Sequence, residues 1–338
     1  MSGSAIPYHL RPHKAVDRRL FVDLLTRLER WRPLHNYAYV SMGAYPLEDH
    51  KIVHRILGIK RLLAFDYDEE VVNRQKFNRP IARCRCIQAA SKDVVDNFDH
   101  ILKDNKIDDA AGVIVWLDYT DPNEIQHQIR EFQDLIDKLR VGDVVRVTVN
   151  AHFSEYADPI PQGQAQPKKT ERQQKTFQKL QSKIGEYLPS DASSADMTPA
   201  GLALLLSKSF GNAVHKAFQP TSANTFKPLS VTRYADGLQM LTMTGAVIKR
   251  AEEQALTSAL DLKNWPFASK DWSSIHHLVV PALTLRERLF LEREVGGRPD
   301  RIVKKLGFSS TADVSIKDFL KSYKDYYRFY PTLLSADV

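Results

Sequence analysis

Oxygen-bearing side chains gather in the segment 116–122, which reads Trp-Leu-Asp-Tyr-Thr-Asp-Pro and closes a continuous apolar run. Asp118 and Asp121 supply two carboxylates there, and Asn150 ends the next apolar run of the chain. Carboxylate and amide oxygens are the ligands that a hard divalent cation prefers, so Asp118, Asp121 and Asn150 form a candidate metal site. Asp121 also has a competing interpretation as a helix cap, because Pro122 suits the first position of a helix.

Histidines provide the second set of candidates. His152 lies two residues after Asn150 and is a candidate general base, since imidazole exchanges protons near neutral pH. The competing interpretation is a loop histidine without a chemical role. His50 and His54 are four residues apart on a predicted helix, so they share a face and could bind a metal. No third ligand for such a site is apparent.

A glycine and an aspartate follow two earlier apolar runs. Gly43 closes the run that begins at Tyr37, and a glycine there lets the backbone approach a ligand closely. The simpler alternative is a turn from strand to helix. Asp66 ends the run 61–66, and its carboxylate can accept hydrogen bonds from two hydroxyl groups. For Asp66 the alternatives are a helix N-cap or an exposed strand end.

Alternating strands and helices must position these residues. The hydrophobic pattern predicts strands at 37–43, 61–66, 83–88, 112–118 and 144–149, and helices at 47–57, from 68, near 91–104 and at 122–140. The apolar run 112–117 does not alternate, which is typical of a strand buried on both faces. This order predicts an α/β fold with a doubly wound, Rossmann-like and mostly parallel sheet.

The rest of the chain adds a hairpin and two helical flanks. A helix at 199–217 precedes two strands, 228–234 and 238–248, joined through Asp236-Gly237, a strong signal for an antiparallel β-hairpin. We expect three segments: an N-terminal helical segment 1–36, a core domain 37–250, and a C-terminal helical region 251–338. A polar insertion at about 154–196 interrupts the core domain.

Composition excludes several classes of protein. The 338 residues are 43% hydrophobic and 26% charged, as expected for a globular chain and unlike a disordered, collagen-like or coiled-coil one. No run approaches the roughly 20 apolar residues of a membrane helix. Arg11, His13 and Lys14 interrupt any signal-peptide core. Two cysteines exclude a disulfide scaffold, and we expect a cytoplasmic location.

Charge is spread unevenly along the chain. The net charge is +7, with basic flanks and a mildly acidic centre: seven Lys/Arg against three Asp/Glu in 1–36, and eleven against seven in 286–330. Basic flanks could meet nucleic acid or an acidic protein. The competing interpretation is that these charges are solvated faces of helices.

The order of predicted strands and helices resembles that of a known fold family. Five βα units, a helix and a closing hairpin resemble the class I methyltransferase fold, which binds S-adenosylmethionine, and the resemblance covers about 37–250. The whole sequence resembles a bacterial group of O-methyltransferases of poorly known function. The resemblance implies that Gly43 and Ala44 form the cofactor loop, that Asp66 and Tyr67 bind the nucleoside, and that Asp118 lies on the catalytic face.

The chain departs from the family pattern at two places. The loop 43–47 has one glycine where the family has two or three. Catechol-type O-methyltransferases bind a metal through an Asp-Asn pair after the next strand, and this chain has Val149-Asn150 there. The resemblance therefore implies S-adenosylmethionine as the cofactor and leaves a magnesium ion open.

Two functional hypotheses follow from these observations. The first is an S-adenosylmethionine-dependent methyltransferase that transfers a methyl group to an oxygen of an unidentified acceptor, with Asp118 and His152 as catalytic residues. The alternative is a methyltransferase-like binding module that has lost catalysis and assembles with a protein or nucleic-acid partner.

Overall fold

The computed structural model describes residues 11–158, 167–281, 283–308 and 314–330. An eight-stranded sheet lies at its centre, with strand order β3-β2-β1-β4-β5-β7-β6-β8. The strands are β1 Ala38–Ser41, β2 Arg61–Asp66, β3 Arg85–Gln88, β4 Val113–Asp118, β5 Val144–Asn150, β6 Asn224–Asp236, β7 Leu238–Lys249 and β8 His276–Leu278.

Helices connect and cover the strands. They are α1 Pro12–Leu28, α2 Glu48–Leu57, α3 Glu69–Asn78, α4 Ser91–Asp96, α5 Phe98–Asp104, α6 Ile125–Lys138, α7 Phe153–Tyr156, α8 Lys169–Ile184, α9 Pro199–Ala217, α10 Glu253–Ala259, α11 Leu285–Glu294, α12 Pro299–Leu306 and α13 Ile316–Tyr326. No helix in the described ranges combines the length and the apolarity needed to cross a bilayer.

The predicted topology is confirmed. Strands β1 to β5 pair in parallel. Strand β7 pairs antiparallel with β5 and, through the Asp-Gly turn, antiparallel with β6. The chain runs outward from β1 to β3 and then returns to β4 on the other side of β1. The strand order therefore reverses between β1 and β4, where open α/β sheets bind their ligands.

Two elements differ from the prediction. The helix predicted near 91–104 is two helices, because Asn97 leaves the helical conformation and its Nδ2 atom donates to the carbonyl of Asp93 at 3.1 Å. Such a local side-chain bond competes with the helix backbone. The C-terminal region was predicted to be helical, yet it also supplies β8, which pairs in parallel with β6.

The two faces of the sheet are covered differently. Helices α4, α5, α6, α8 and α9 cover one face through an apolar cluster that includes Val115, Val147, Phe132, Leu206 and Phe210. We call this the apolar face. Helices α1 and α2 and the C-terminal segment cover the other face through a second cluster. That face also contains buried polar side chains at its centre, and we call it the mixed face: Arg146, Thr148, Thr232, Thr242 and Thr244.

Helix α1 is attached to the mixed face by a buried ion pair. Asp17 pairs with the guanidinium of Arg146 on β5, and both side chains are less than 5% exposed. The second carboxylate oxygen of Asp17 accepts from the Thr232 hydroxyl at 2.9 Å. The guanidinium also lies over the rings of Phe21 and Trp116. These contacts fix the first turn of α1 near the carboxyl ends of the strands.

Both flanks pack on the same sheet as the core domain. Phe319 and Tyr326 of α13 belong to the same cluster as Leu20 of α1 and Tyr39 of β1. The predicted polar insertion also contributes to the core, since α8 buries Leu180 in the apolar-face cluster. Residues 159–166 of that insertion lie outside the described residues. The division into three segments stays a prediction.

Candidate functional site

The candidate site lies where β1, β2 and β4 end side by side. Gly43 follows β1, Asp66 ends β2 and Asp118 ends β4. These strands are direct neighbours in the order β2-β1-β4, which brings their carboxyl ends to one edge. The structure therefore places three of the predicted site residues around the switch point of the sheet.

The turn after β1 has an unusual backbone. Gly43, Ala44 and Leu47 all have positive φ angles, of 65°, 45° and 52°. A Cβ atom on Gly43 would lie 2.7 Å from Leu47 Cδ2 and 2.9 Å from His50 Cε1. Left-handed backbone and close packing both favour glycine there. The single glycine is thus required by the packing of the turn itself.

A buried hydrogen-bond network holds the backbone of the turn in place. The Ser41 hydroxyl accepts from the backbone N–H of Gly43 at 3.1 Å and donates to Asp49 Oδ2 at 2.6 Å. The Tyr39 hydroxyl donates to the same carboxylate oxygen at 2.8 Å. Asp49 is the second residue of α2, and all three side chains are buried. A carboxylate supplied by α2 therefore fixes the end of β1.

His50 completes this network as a charged group. Its Nδ1 atom lies 3.2 Å from Asp49 Oδ1, and its Nε2 atom lies 3.1 Å from the carbonyl oxygen of Leu63. Both partners are acceptors, so the ring donates twice and is protonated. Burial opposes the charge of His50, yet the Asp49 carboxylate raises its pKa above the usual value. The imidazolium in turn holds the pKa of Asp49 well below its usual range against the effect of burial.

The two histidines on α2 have separate structural partners. His54 Nδ1 contacts the carbonyl oxygen of Ile59 at 2.8 Å, beyond the end of the helix. His50 uses both ring nitrogens in the network with Asp49 and Leu63. The pair therefore caps and supports α2, and neither nitrogen of His50 is available to a metal.

Side chains of α3 hold the carbonyl groups of the turn. Gln75 Nε2 donates to the carbonyl oxygens of Met42 and Ala44, at 2.9 and 3.3 Å. Asn78 Nδ2 donates to the carbonyl oxygen of Tyr45 at 3.1 Å. Side chains of α2 and α3 therefore hold the backbone of this turn in place, where other members of the fold family use further glycines.

Asp66 and Tyr67 lie beside this turn at the end of β2. Asp66 Oδ1 accepts from the backbone N–H of Asp68 at 2.9 Å, and partial burial raises the pKa of Asp66. Asp68, rather than Asp66, caps α3 by accepting from the N–H of Glu70 at 2.8 Å. The Tyr67 ring is 78% exposed. The helix cap is therefore Asp68, and Asp66 lies at the end of β2 with its carboxylate next to the start of α3.

Asp118 is paired with a residue of the N-terminal helix. Its Oδ2 atom lies 2.9 Å from the Lys14 ammonium. Its Oδ1 atom is buried and has no hydrogen-bond partner among the residues that the structure describes. Its backbone N–H lies 3.3 Å from Met42 Sδ, at the start of the glycine turn. The carboxylate therefore lies at the end of β4, against the first turn of α1.

The three predicted metal ligands each have another partner. Asp121 Oδ1 accepts from the N–H of Asn123 at 2.9 Å, so Asp121 acts as the cap before Pro122. Asn150 Oδ1 accepts from the N–H of His152 at 2.9 Å, and Asp118 pairs with Lys14. Within the described ranges, no cluster of three or more His, Cys, Asp or Glu residues could hold a metal ion. The predicted magnesium site has no support in these contacts.

His152 lies at the end of β5 and contacts the closing hairpin. Its Nδ1 atom accepts from the backbone N–H of Gln239 at 3.3 Å. A neutral ring that accepts through Nδ1 carries its proton on Nε2. In this arrangement His152 presents a hydrogen-bond donor, and its predicted role as a base requires release from Gln239. That role stays a prediction.

Sequence reasoning missed the partners of the predicted residues. Lys14 was considered only as a charge that interrupts a signal-peptide core and adds to the basic N-terminal flank, and Asp49 was not singled out. The available signal was the placement of charge inside apolar patterns: Asp17 and Arg18 fall among the buried positions of α1, as Arg146 does in β5. A charge inside an apolar pattern indicates a buried partner, although not which one.

Fold and site together define the class of protein. Strands in the order 3-2-1-4-5-7-6, with strand 7 antiparallel, and polar residues at the ends of strands 1, 2 and 4 are those of a Rossmann-like methyltransferase. A family model described as "Putative O-methyltransferase" matches residues 6–338, nearly the whole chain. The chain belongs to this family. No curated protein matches the sequence.

Proposed function

We propose that this protein transfers a methyl group from S-adenosylmethionine to an oxygen atom of an acceptor. The family assignment supports O-methyl transfer. The observation that carries the cofactor is the grouping of Gly43, Asp66 and Asp118 at three adjacent strand ends around the switch point. Open sheets of this kind bind nucleoside ligands at that position.

The residues at these strand ends fit such a ligand. Asp66 offers carboxylate oxygens to the hydroxyl groups of a ribose, and the exposed ring of Tyr67 offers an apolar surface to the base. Gly43 and Ala44 bring backbone close to the ligand. Asp118 Oδ1, buried without a partner in the described part of the chain, leaves one acceptor for a donor on the ligand. S-adenosylmethionine, when bound, supplies a methyl group that an oxygen nucleophile can attack.

The chain itself must position the acceptor and take its proton. We propose that Asp118 orients the reactants at the end of β4 and that His152 is the proton acceptor, once its Nδ1 atom is free of Gln239. Asn150 fixes the loop between them, because its amide donates to the carbonyl oxygen of Thr120 at 3.3 Å. The proposal uses no metal, since the candidate ligands are engaged elsewhere.

Calorimetric titration with S-adenosylmethionine and S-adenosylhomocysteine tests the proposal. We expect micromolar binding by the wild type and at least about tenfold weaker binding by Asp66→Ala, because each hydrogen bond to a charged group contributes about 1.5–3 kcal/mol. Asp68→Ala is the matched control, since it removes the same charge two residues away together with the cap of α3.

Two outcomes would count against this proposal. Unchanged affinity of Asp66→Ala would remove Asp66 from the ribose site. Absence of heat with both ligands, in a sample shown to be folded by circular dichroism, would reject the cofactor and favour the alternative of a binding module.

A further inference from the structure

An ion pair joins the N-terminal helix to the reaction edge. Lys14 Nζ and Asp118 Oδ2 are 2.9 Å apart, and the two side chains are only 10% and 20% exposed. The residues are 104 positions apart in the chain, so the pair depends on the docking of α1 along the sheet. The buried Asp17–Arg146 pair lies one helical turn further along α1 and fixes that docking. Lys14 is therefore held at the end of β4.

The carboxylate of this pair has one acceptor left over. Asp118 Oδ1 is buried and makes no hydrogen bond within the described residues. A buried acceptor without a donor costs more than a hydrogen bond usually gains, so such atoms in native proteins call for an explanation. The backbone N–H of Asp118 contacts Met42 Sδ, so the residue adjoins the glycine turn. A donor on a ligand bound at this edge of the sheet would satisfy it.

The spacing of the strand ends suits an elongated ligand. Asp66 and Asp118 end strands that are separated by β1 alone. Adjacent strands lie about 4.8 Å apart, so the two ends are roughly 10 Å from each other. A ligand with a ribose at one end and an α-amino acid at the other can reach both carboxylates.

We propose that Lys14 and Asp118 bind the α-amino-acid end of the cofactor, an inference that rests on the proposed function. The ligand ammonium donates to Asp118, and the ligand carboxylate accepts from the Lys14 ammonium. The zwitterion brings one charge of each sign, so two ion pairs replace one and no charge loses its partner. That balance is the condition under which partly buried charges are tolerated.

Two ligands that differ only at the amino-acid end test this assignment. S-adenosylhomocysteine carries the amino acid, and 5′-methylthioadenosine keeps the nucleoside and the sulfur without it. We expect Lys14→Met to weaken binding of S-adenosylhomocysteine by about ten- to a hundredfold in calorimetric titration. Binding of 5′-methylthioadenosine should stay within roughly twofold of the wild type, because that ligand makes no charged contact there. Asp118→Asn should show the same selectivity.

Matched variants separate this role from a structural one. Lys216→Met removes a lysine from a surface ion pair with Glu186 and should bind both ligands like the wild type. Lys14→Arg keeps the charge and should restore most of the affinity for S-adenosylhomocysteine. Thermal melting of every variant reports whether α1 is still docked.

The outcomes are distinct. Equal weakening of both ligands by Lys14→Met would show that Lys14 only holds α1 in place, and would overturn the inference. Wild-type affinity of that variant for both ligands would overturn it as well, while leaving the proposed function intact. Failure of the folded wild type to bind either ligand would instead reject the proposed function and this inference with it.

Discussion

The apolar face and the mixed face of the sheet are built from the same strands yet carry different chemistry. In β5, Val145, Val147 and Val149 face α6 and α9 in a cluster of apolar side chains. The alternate residues Arg146 and Thr148 lie on the mixed face, where Arg146 pairs with Asp17 of α1 and Thr148 accepts a hydrogen bond from Trp116. One face thus supplies bulk stability, and the other holds an N-terminal helix in one register through ionic and hydrogen-bonded contacts. That register is what places Lys14 at Asp118.

Removing one member of the buried Asp17–Arg146 ion pair should change the free energy of unfolding more than any other substitution predicted for the two faces. Arg146→Met leaves Asp17 buried without its partner and should lower the free energy of unfolding by about 3–5 kcal/mol. The double variant Asp17→Leu with Arg146→Met removes both charges and should recover most of that loss. Urea unfolding followed by circular dichroism measures each value.

A surface ion pair provides the control for this prediction. Arg61 and Asp109 pair near the start of β2, where the Asp109 side chain is 66% exposed. Asp109→Asn should leave unfolding nearly unchanged, because solvent screens exposed charges. If Arg146→Met proved as mild as Asp109→Asn, the mixed face would not depend on its ion pair.

Single substitutions at two adjacent residues of β5 should each have an intermediate effect on the free energy of unfolding. Thr148→Val removes the oxygen that accepts from Trp116 Nε1 at 3.0 Å and leaves that buried N–H unpaired. Val147→Thr places a hydroxyl among apolar neighbours on the opposite face. Each should cost about 1–3 kcal/mol, the first by losing a partner and the second by burying an unpaired group. If either substitution left the free energy of unfolding unchanged in the same urea assay, the two faces would not differ in their need for polar or apolar side chains.

The smallest expected effect is a pH dependence that belongs to the mixed face alone. The pKa of His50 is raised in the folded protein, against burial, by the Asp49 carboxylate. Its contribution to stability is therefore complete below the unfolded pKa of about 6.5 and is lost as pH rises through the folded pKa. The difference in unfolding free energy between the wild type and His50→Gln should shrink between pH 6 and pH 9. A difference that stays constant over this range would mean that the ring is not charged in the native state.

Most of the fold could be predicted from the sequence, because local patterns determine it. Apolar runs marked the five parallel strands, and Asp236-Gly237 marked the hairpin. Strand β8 was missed because it is only three residues long and contains two histidines. The division of the helix near 91–104 depends on the single side-chain bond of Asn97.

The candidate site could be predicted only in part. Gly43, Asp66 and Asp118 follow strands, so their position at one edge followed from the topology. Their partners did not, because Lys14 lies 104 residues from Asp118 and no spacing rule connects residues that far apart. Asp121 shows the opposite case, since its role as a cap before Pro122 is local and was anticipated from the sequence as the alternative to a metal ligand.

The short strand β8 also has a consequence for solubility. Strand β6 is 13 residues long, and without a neighbour its edge would offer unpaired backbone groups to other chains. The segment from Phe267 to Leu278 prevents this, since β8 pairs with Thr232 to Tyr234 and Ser269 bonds to the backbone of Leu229 and Val231. A shortened protein that ends before residue 267 would therefore expose a long template for strand addition. We expect it to aggregate even though Gly43, Asp66 and Asp118 at the ends of β1, β2 and β4 would still be present.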